Sequence, residues 1–145
     1  MLDLVLAIAH HLLIFCLFGI LSSELIAVRP GMSQAAVSQI VAIDLWYGAL
    51  AALILIVGFS RAVFAAKGWE YYANNEFFWA KIIVFAGIGL LSVWPTVRFI
   101  RWRRAGDSPD EADVTSVRRL LYAEVILFAL LPVFAAAMAR GYGEL

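Results

Sequence analysis

The sequence predicts an all-α integral membrane protein built as a four-helix bundle, and three observations carry that prediction. Of 145 residues, 64% are hydrophobic and 15% charged, at a mean hydropathy of +0.90. Ordinary soluble domains hold about 45–50% apolar and about 25% charged residues, so a chain this short would have no polar shell left to cover its core in water. The apolar residues fall in four continuous runs, not in the alternating pattern of barrel strands. Each run reaches the roughly 20 residues that a helix needs to cross the hydrocarbon. A soluble enzyme, a nucleic-acid-binding module and a disordered chain all fit these numbers poorly.

The four spans form one domain, 1–145. The first is read at 4–28. Its Met-Leu-Asp start lacks the basic residues of a signal peptide and the apolar run is too long for one, so the segment is expected to be retained. Arg29-Pro30-Gly31 ends it. The second span, 41–66, is uncharged over 45–60 and is followed by Lys67-Gly68. Its stripe of Gly48, Ala52, Gly58 and Ala62 lets another helix approach closely. Asn75-Glu76 predicts a cap for the third span, 77–100. Before the fourth, 120–139, Ser108-Pro109-Asp110-Glu111 predicts a short helical start, with Ser108 as N-cap and Pro109 in the first helical position. No internal repeat is present.

The arginines predict the direction. Arg98, Arg101, Arg103, Arg104, Arg118 and Arg119 surround the third loop, against Arg61 and Lys67 at the second. By the positive-inside rule the third loop is cytoplasmic and both termini lie outside, on the periplasmic side of a bacterial inner membrane. Trp69, Tyr71, Tyr72, Trp79 and Tyr142 then mark the outer interface, and Trp46, Tyr47, Trp94, Trp102 and Tyr122 the inner one.

Ionisable groups within a membrane cost about 2.5–3.5 kcal/mol each on insertion scales and mark functional sites. Here they sort into two layers. One holds His10, His11, Arg61 and Lys81, with Met138 nearby; the other holds Glu24, Asp44, Arg98 and Glu124. Adjacent histidines on a helix point about 100° apart, so only one can face the bundle. His10 is slightly favoured because it shares a face with Glu24. An imidazole ringed by Phe and Leu in a membrane bundle suits an axial haem ligand, and Arg61, Lys67 and Lys81 suit propionates. Without a CxxCH motif the haem is non-covalent, b-type iron protoporphyrin IX. The blander alternatives are a satisfied His pair near the headgroups, a snorkelling Lys81 and a packing Met138. Lys81 or Met138 is the candidate second iron ligand.

The acidic layer is expected to close the bundle through ion pairs of Glu24, Asp44 and Glu124 with Arg98, Arg101 or Arg118. Equal numbers of basic and acidic residues, eleven each, leave no net field to steer a charged partner. The lone Cys16 excludes an intramolecular disulfide and a multi-cysteine metal centre. No phosphate-binding loop, dinucleotide fingerprint, zinc-protease or serine-hydrolase motif is present.

Ala9-His10-His11-Leu12, Asp44-Leu45-Trp46-Tyr47-Gly48 and Gly58-Phe59-Ser60-Arg61 are specific when taken together. Tyr71-Tyr72, Phe77-Phe78-Trp79-Ala80-Lys81 and Ser92-Val93-Trp94-Pro95-Thr96 complete the set. Through them the chain resembles, over nearly its whole length, a family of small bacterial four-helix membrane proteins without assigned function. It is more distantly similar to the HemJ-type protoporphyrinogen oxidases, four-span haem b proteins with an early histidine and an Ala-Lys pair opening the third helix. That resemblance implies His10 or His11 as haem ligand, Lys81 in the haem or porphyrin pocket, and a homo-oligomer. The expected function is therefore haem b binding with a redox or haem-handling role, as a homodimer in the lipid bilayer served by a quinone or other electron-transfer partner. Protoporphyrinogen oxidation and a cofactor-free scaffold or small transporter are the alternatives.

Overall fold

The computed structural model describes residues 1–64 and 67–144; the expected end of the second span, at 66, lies outside them. The described residues form six helices: α1 Leu2–Ala27, α2 Gln34–Phe64, α3 Gly68–Ala73, α4 Glu76–Ala105, α5 Glu111–Phe128 and α6 Leu130–Ala139. With α5 and α6 taken as one, four elements are long and apolar enough to cross a membrane. The protein is an all-α membrane bundle, as its composition predicts.

The helices outrun their apolar runs wherever polar turns continue the hydrogen-bond ladder. α2 begins at Gln34, seven residues before the hydropathic boundary at 41, and α5 begins at Glu111, nine before 120. The predicted cap at Ser108 is not formed. Asp110 occupies the N-cap position, while Ser108 turns away to donate a 3.1 Å hydrogen bond to the Met32 carbonyl. The Asn75 cap does form, its Oδ1 accepting from the N–H groups of Phe77 and Phe78 at 3.0 and 3.2 Å. The fourth span is broken at Ala129. Pro132 has no N–H to offer the Phe128 carbonyl, so the ladder stops there and resumes as α6. α3 has no counterpart in the hydropathy pattern; Gly68, at φ +73°, makes the left-handed turn that opens it.

Backbone packing runs around a square. α1 lies beside α2 and α5, and α4 beside α2, α5 and α6. α1 and α4 are diagonal, as are α2 and α5. Among the described residues α1 makes no close backbone contact with α6, so a seam is left between them. The core follows helical spacing: Leu17 and Leu21 on α1, Ile40, Tyr47 and Ile54 on α2, Ile88 and Phe99 on α4, and Val114, Val117 and Leu121 on α5. No residue of α1 before Leu17 is fully buried. A smaller cluster of Ala62, Tyr72 and Phe78 closes the other end. Tyr47, Tyr72 and Trp102 pack inside the bundle and do not face outward.

Two clasps tie the ends. At the histidine end, Asn75 Nδ2 donates to the Tyr142 carbonyl at 3.0 Å, Glu76 N–H donates to Gly143 O at 2.9 Å, and the Tyr71 hydroxyl donates to Met138 O at 3.0 Å. Gly143 is required there: its φ is +79°, and a Cβ would lie 2.6 Å from the Phe77 ring. At the arginine end, Asp113 accepts from Trp102 Nε1 at 2.8 Å and pairs with Arg98 at 3.2 Å. Arg118 donates to the carbonyls of Leu25 and Val28, which α1 leaves free at its end.

Candidate functional site

Of the two predicted polar layers, the first draws one residue from every span, and the second loses Arg98 to Asp113. His10 of α1, Arg61 of α2, Lys81 of α4 and Met138 of α6 line one cavity of about 100 Å³. Its remaining wall is apolar and aromatic, from Ile14, Ile54, Phe59, Ile82, Phe85 and Leu131, and Tyr72 of α3 also lines it. No carboxylate is among the lining residues.

His10 reaches this space because Gly58 clears it. A Cβ on Gly58 would meet the His10 ring carbon Cε1 at 3.1 Å and Nδ1 at 3.5 Å. The predicted small-residue stripe is thus not one helix seam. Gly58 receives a ring, Ala62 is buried in the small cluster, and nothing lies within 4 Å of a Cβ placed on Gly48. Among the described residues His10 Nδ1 and Arg61 Nε are buried without a hydrogen-bond partner. An unpaired buried donor or acceptor costs about 1–3 kcal/mol.

His11 lies on the outside of α1, its Nδ1–H donating to the Ala7 carbonyl at 2.7 Å. The two rings meet edge to face, with centroids 6.2 Å apart. Lys81 lies 5.7 Å from the Phe78 ring centroid. Lys67 stands apart: it is exposed, 3.9 Å over the Tyr71 ring, and outside the cavity wall. Sequence reasoning missed Gly58 as the cradle of His10, since a stripe of small residues does not say which one a side chain will enter. It also missed Tyr72, which the Tyr71-Tyr72 pair left indistinguishable from an interfacial belt.

The acidic layer departs from expectation. Glu24 and Glu124 are 2% and 0% exposed, and among the described residues each keeps an Oε1 without a partner. Nor does any of the three carboxylates pair with an arginine among them. Arg98 is taken by Asp113, and Arg118 by backbone carbonyls. Glu124 Oε2 instead accepts from the Tyr47 hydroxyl at 3.4 Å, and Asp44 Oδ1 from the Thr96 hydroxyl at 2.8 Å. The helices set their register by packing, and the arginines follow helix ends rather than this layer.

Among the described residues no three of His, Cys, Asp and Glu are grouped to hold a metal ion. A lone imidazole beside unpaired cations instead suits a metal already held in a macrocycle bearing carboxylates. The chain belongs to the DUF2214 family of predicted membrane proteins, whose model matches residues 2–143. No curated protein and no solved structure matches it.

Proposed function

We propose that this DUF2214 protein binds b-type haem at its histidine end and serves a redox or haem-handling role in the membrane. The observation that carries the reading is a half-buried imidazole with a buried, unpartnered Nδ1, in a largely apolar cavity whose other charged groups are the cations Arg61 and Lys81. In this reading His10 would hold the iron, Arg61 and Lys81 would meet the propionates, Met138 or Lys81 would be the candidate second ligand, and Lys67 remains at the surface. Bound haem would supply one-electron chemistry, tuned by its axial ligand and the polarity of the pocket.

The donor set fits and the enclosed volume is small. About 100 Å³ is below the roughly 300–1,000 Å³ of most ligand sites. A macrocycle must therefore open the seam between α1 and α6, or be walled by a second subunit in a homodimer. One observation favours His11 in the second case. Its Nδ1–H is already held by a carbonyl, as ligating histidines usually are.

The test is the absorption spectrum of detergent-purified protein from haem-replete cells, oxidised and dithionite-reduced. A Soret band with sharpened α and β bands on reduction is expected, lost in His10→Ala and kept in His11→Ala. The reverse pattern moves the haem to the outer face of α1, and featureless spectra after haem supplementation overturn the reading. Lys81, at the position the HemJ resemblance assigns to the porphyrin pocket, favours protoporphyrinogen oxidation as a second reading. That reading requires rescue of a strain lacking the step.

A further inference from the structure

A second cavity, about 370 Å³, opens between α2 and α4. Asp44, Tyr47, Gly48, Ser92 and Thr96 line it, and Phe85 is shared with the wall of the histidine cavity. Pro95, buried in α4 one residue before Thr96, cannot donate to the Leu91 carbonyl and loosens the helix at this level. Behind the cavity stand the two buried glutamates. Asp44 and Glu124 both lie within electrostatic range of Glu24, and Tyr47 bridges from the cavity wall to Glu124.

Every element packed against this cluster withholds a counter-charge. α1 presents Glu24, α2 presents Asp44 and the Tyr47 phenol, α4 presents the Thr96 hydroxyl, and α5 presents Glu124. The nearest guanidiniums are engaged elsewhere, Arg98 by Asp113 and Arg118 by Leu25 and Val28. Three ionised carboxylates at this depth would repel one another at low dielectric with nothing to neutralise them. The described residues form no metal-ligating group here, so the ligand that answers both the charge and the unpartnered oxygens is the proton.

We propose that Glu24, Asp44 and Glu124 form a proton-loading site that exchanges with the second cavity through Asp44 and Tyr47. Asp44, on the wall of that cavity, can take a proton from water there, which lessens the repulsion on Glu24. A proton reaching Glu124 arrives across the Tyr47 hydroxyl, which gives its own proton to Glu124 Oε2 and is re-protonated from the cavity side. No electron moves and no bond between heavy atoms changes. The site stands independently of haem at the other end.

The experiment is infrared spectroscopy of the full chain in lipid, titrated with pH in H2O and D2O, for wild type and for Glu24→Gln, Asp44→Asn and Glu124→Gln. These amides keep the shape of each side chain. The expected result is a carboxylic-acid carbonyl band at neutral pH that shifts in D2O, fades as pH rises, and loses intensity in Glu24→Gln and Glu124→Gln. A wild-type spectrum with no such band means that all three carboxylates are ionised, and overturns the proposal. A band that resists both D2O and pH shows inert buried acids, and overturns it too. If a variant fails to fold, the wild-type titration alone decides. A haem-free preparation giving the expected titration separates this proposal from the haem reading.

Discussion

The two ends of the bundle solve opposite electrostatic problems with the same plan. On α1, His10 and Glu24 are 14 residues apart, about 21 Å at 1.5 Å per residue. At one end the four spans bring together an imidazole, a guanidinium and an ammonium without a carboxylate; at the other, three carboxyl groups without a cation. Simple pairing would have been available had the layers been mixed. Keeping them apart leaves buried polar atoms without partners at each end, and the two proposals answer them differently: with an anionic group large enough to meet several donors, or with protons.

The largest effect that sharpens this contrast is at His10. His10→Ala removes the iron ligand in the proposed arrangement, so the Soret band is expected to vanish, while Glu124→Gln leaves it in place. A spectrum equally altered by both variants would break the division into two sites. Next comes Arg61. A charge-assisted hydrogen bond contributes about 1.5–3 kcal/mol, so Arg61→Gln should weaken haem binding about 10- to 150-fold. Its affinity for the dimethyl ester of haem should hardly change. Equal losses for both ligands would show that Arg61 packs rather than pairs.

Smaller effects test the supports. Asn75→Ala deletes the cap of α4 and the bond to Tyr142, and should cost about 1 kcal/mol of stability, within the 0.5–2 typical of such caps. Thermal unfolding followed by circular dichroism reads it. The smallest change is expected when Tyr47→Phe and Glu124→Leu are combined. Replacing both members of a buried hydrogen-bonded pair with apolar groups of similar shape is commonly nearly neutral, so the midpoint should hold or rise. A large fall would mean that Glu124 has an ionic partner. Asp113→Ala, which strips Arg98 and Trp102 of their shared acceptor, should destabilise more than this double variant in the same assay.

How much of this was legible depended on the range of the interaction. The spans followed from uninterrupted apolar runs, because nothing else satisfies a backbone in lipid. The Asn75 cap was legible because it is local: a side chain meeting N–H groups two and three residues on. The true start of α5 was not, since Ser108 and Asp110 are both competent caps and Ser108 was taken by Met32, 76 residues away in sequence. The layers themselves could be read from helix geometry. The pairing within them could not, because which carboxylate meets which arginine depends on rotations that only packing fixes. Asp113, unremarked in the sequence, captures Arg98 because it lies in the first turn of α5 against the last turns of α4.

The clasp at the histidine end has a mechanical consequence. Asn75, Glu76 and Tyr71 bind the chain from Met138 to Gly143, so α6, α3 and the start of α4 move as one body. The first turns of α1 have no such tether: no cap side chain holds Met1, and α6 is not against them. Any widening of the seam is thus a displacement of α1 away from a fixed jamb. Backbone amides of residues 5–14 should exchange with deuterium sooner than those of α6, although His10 and Met138 line the same cavity.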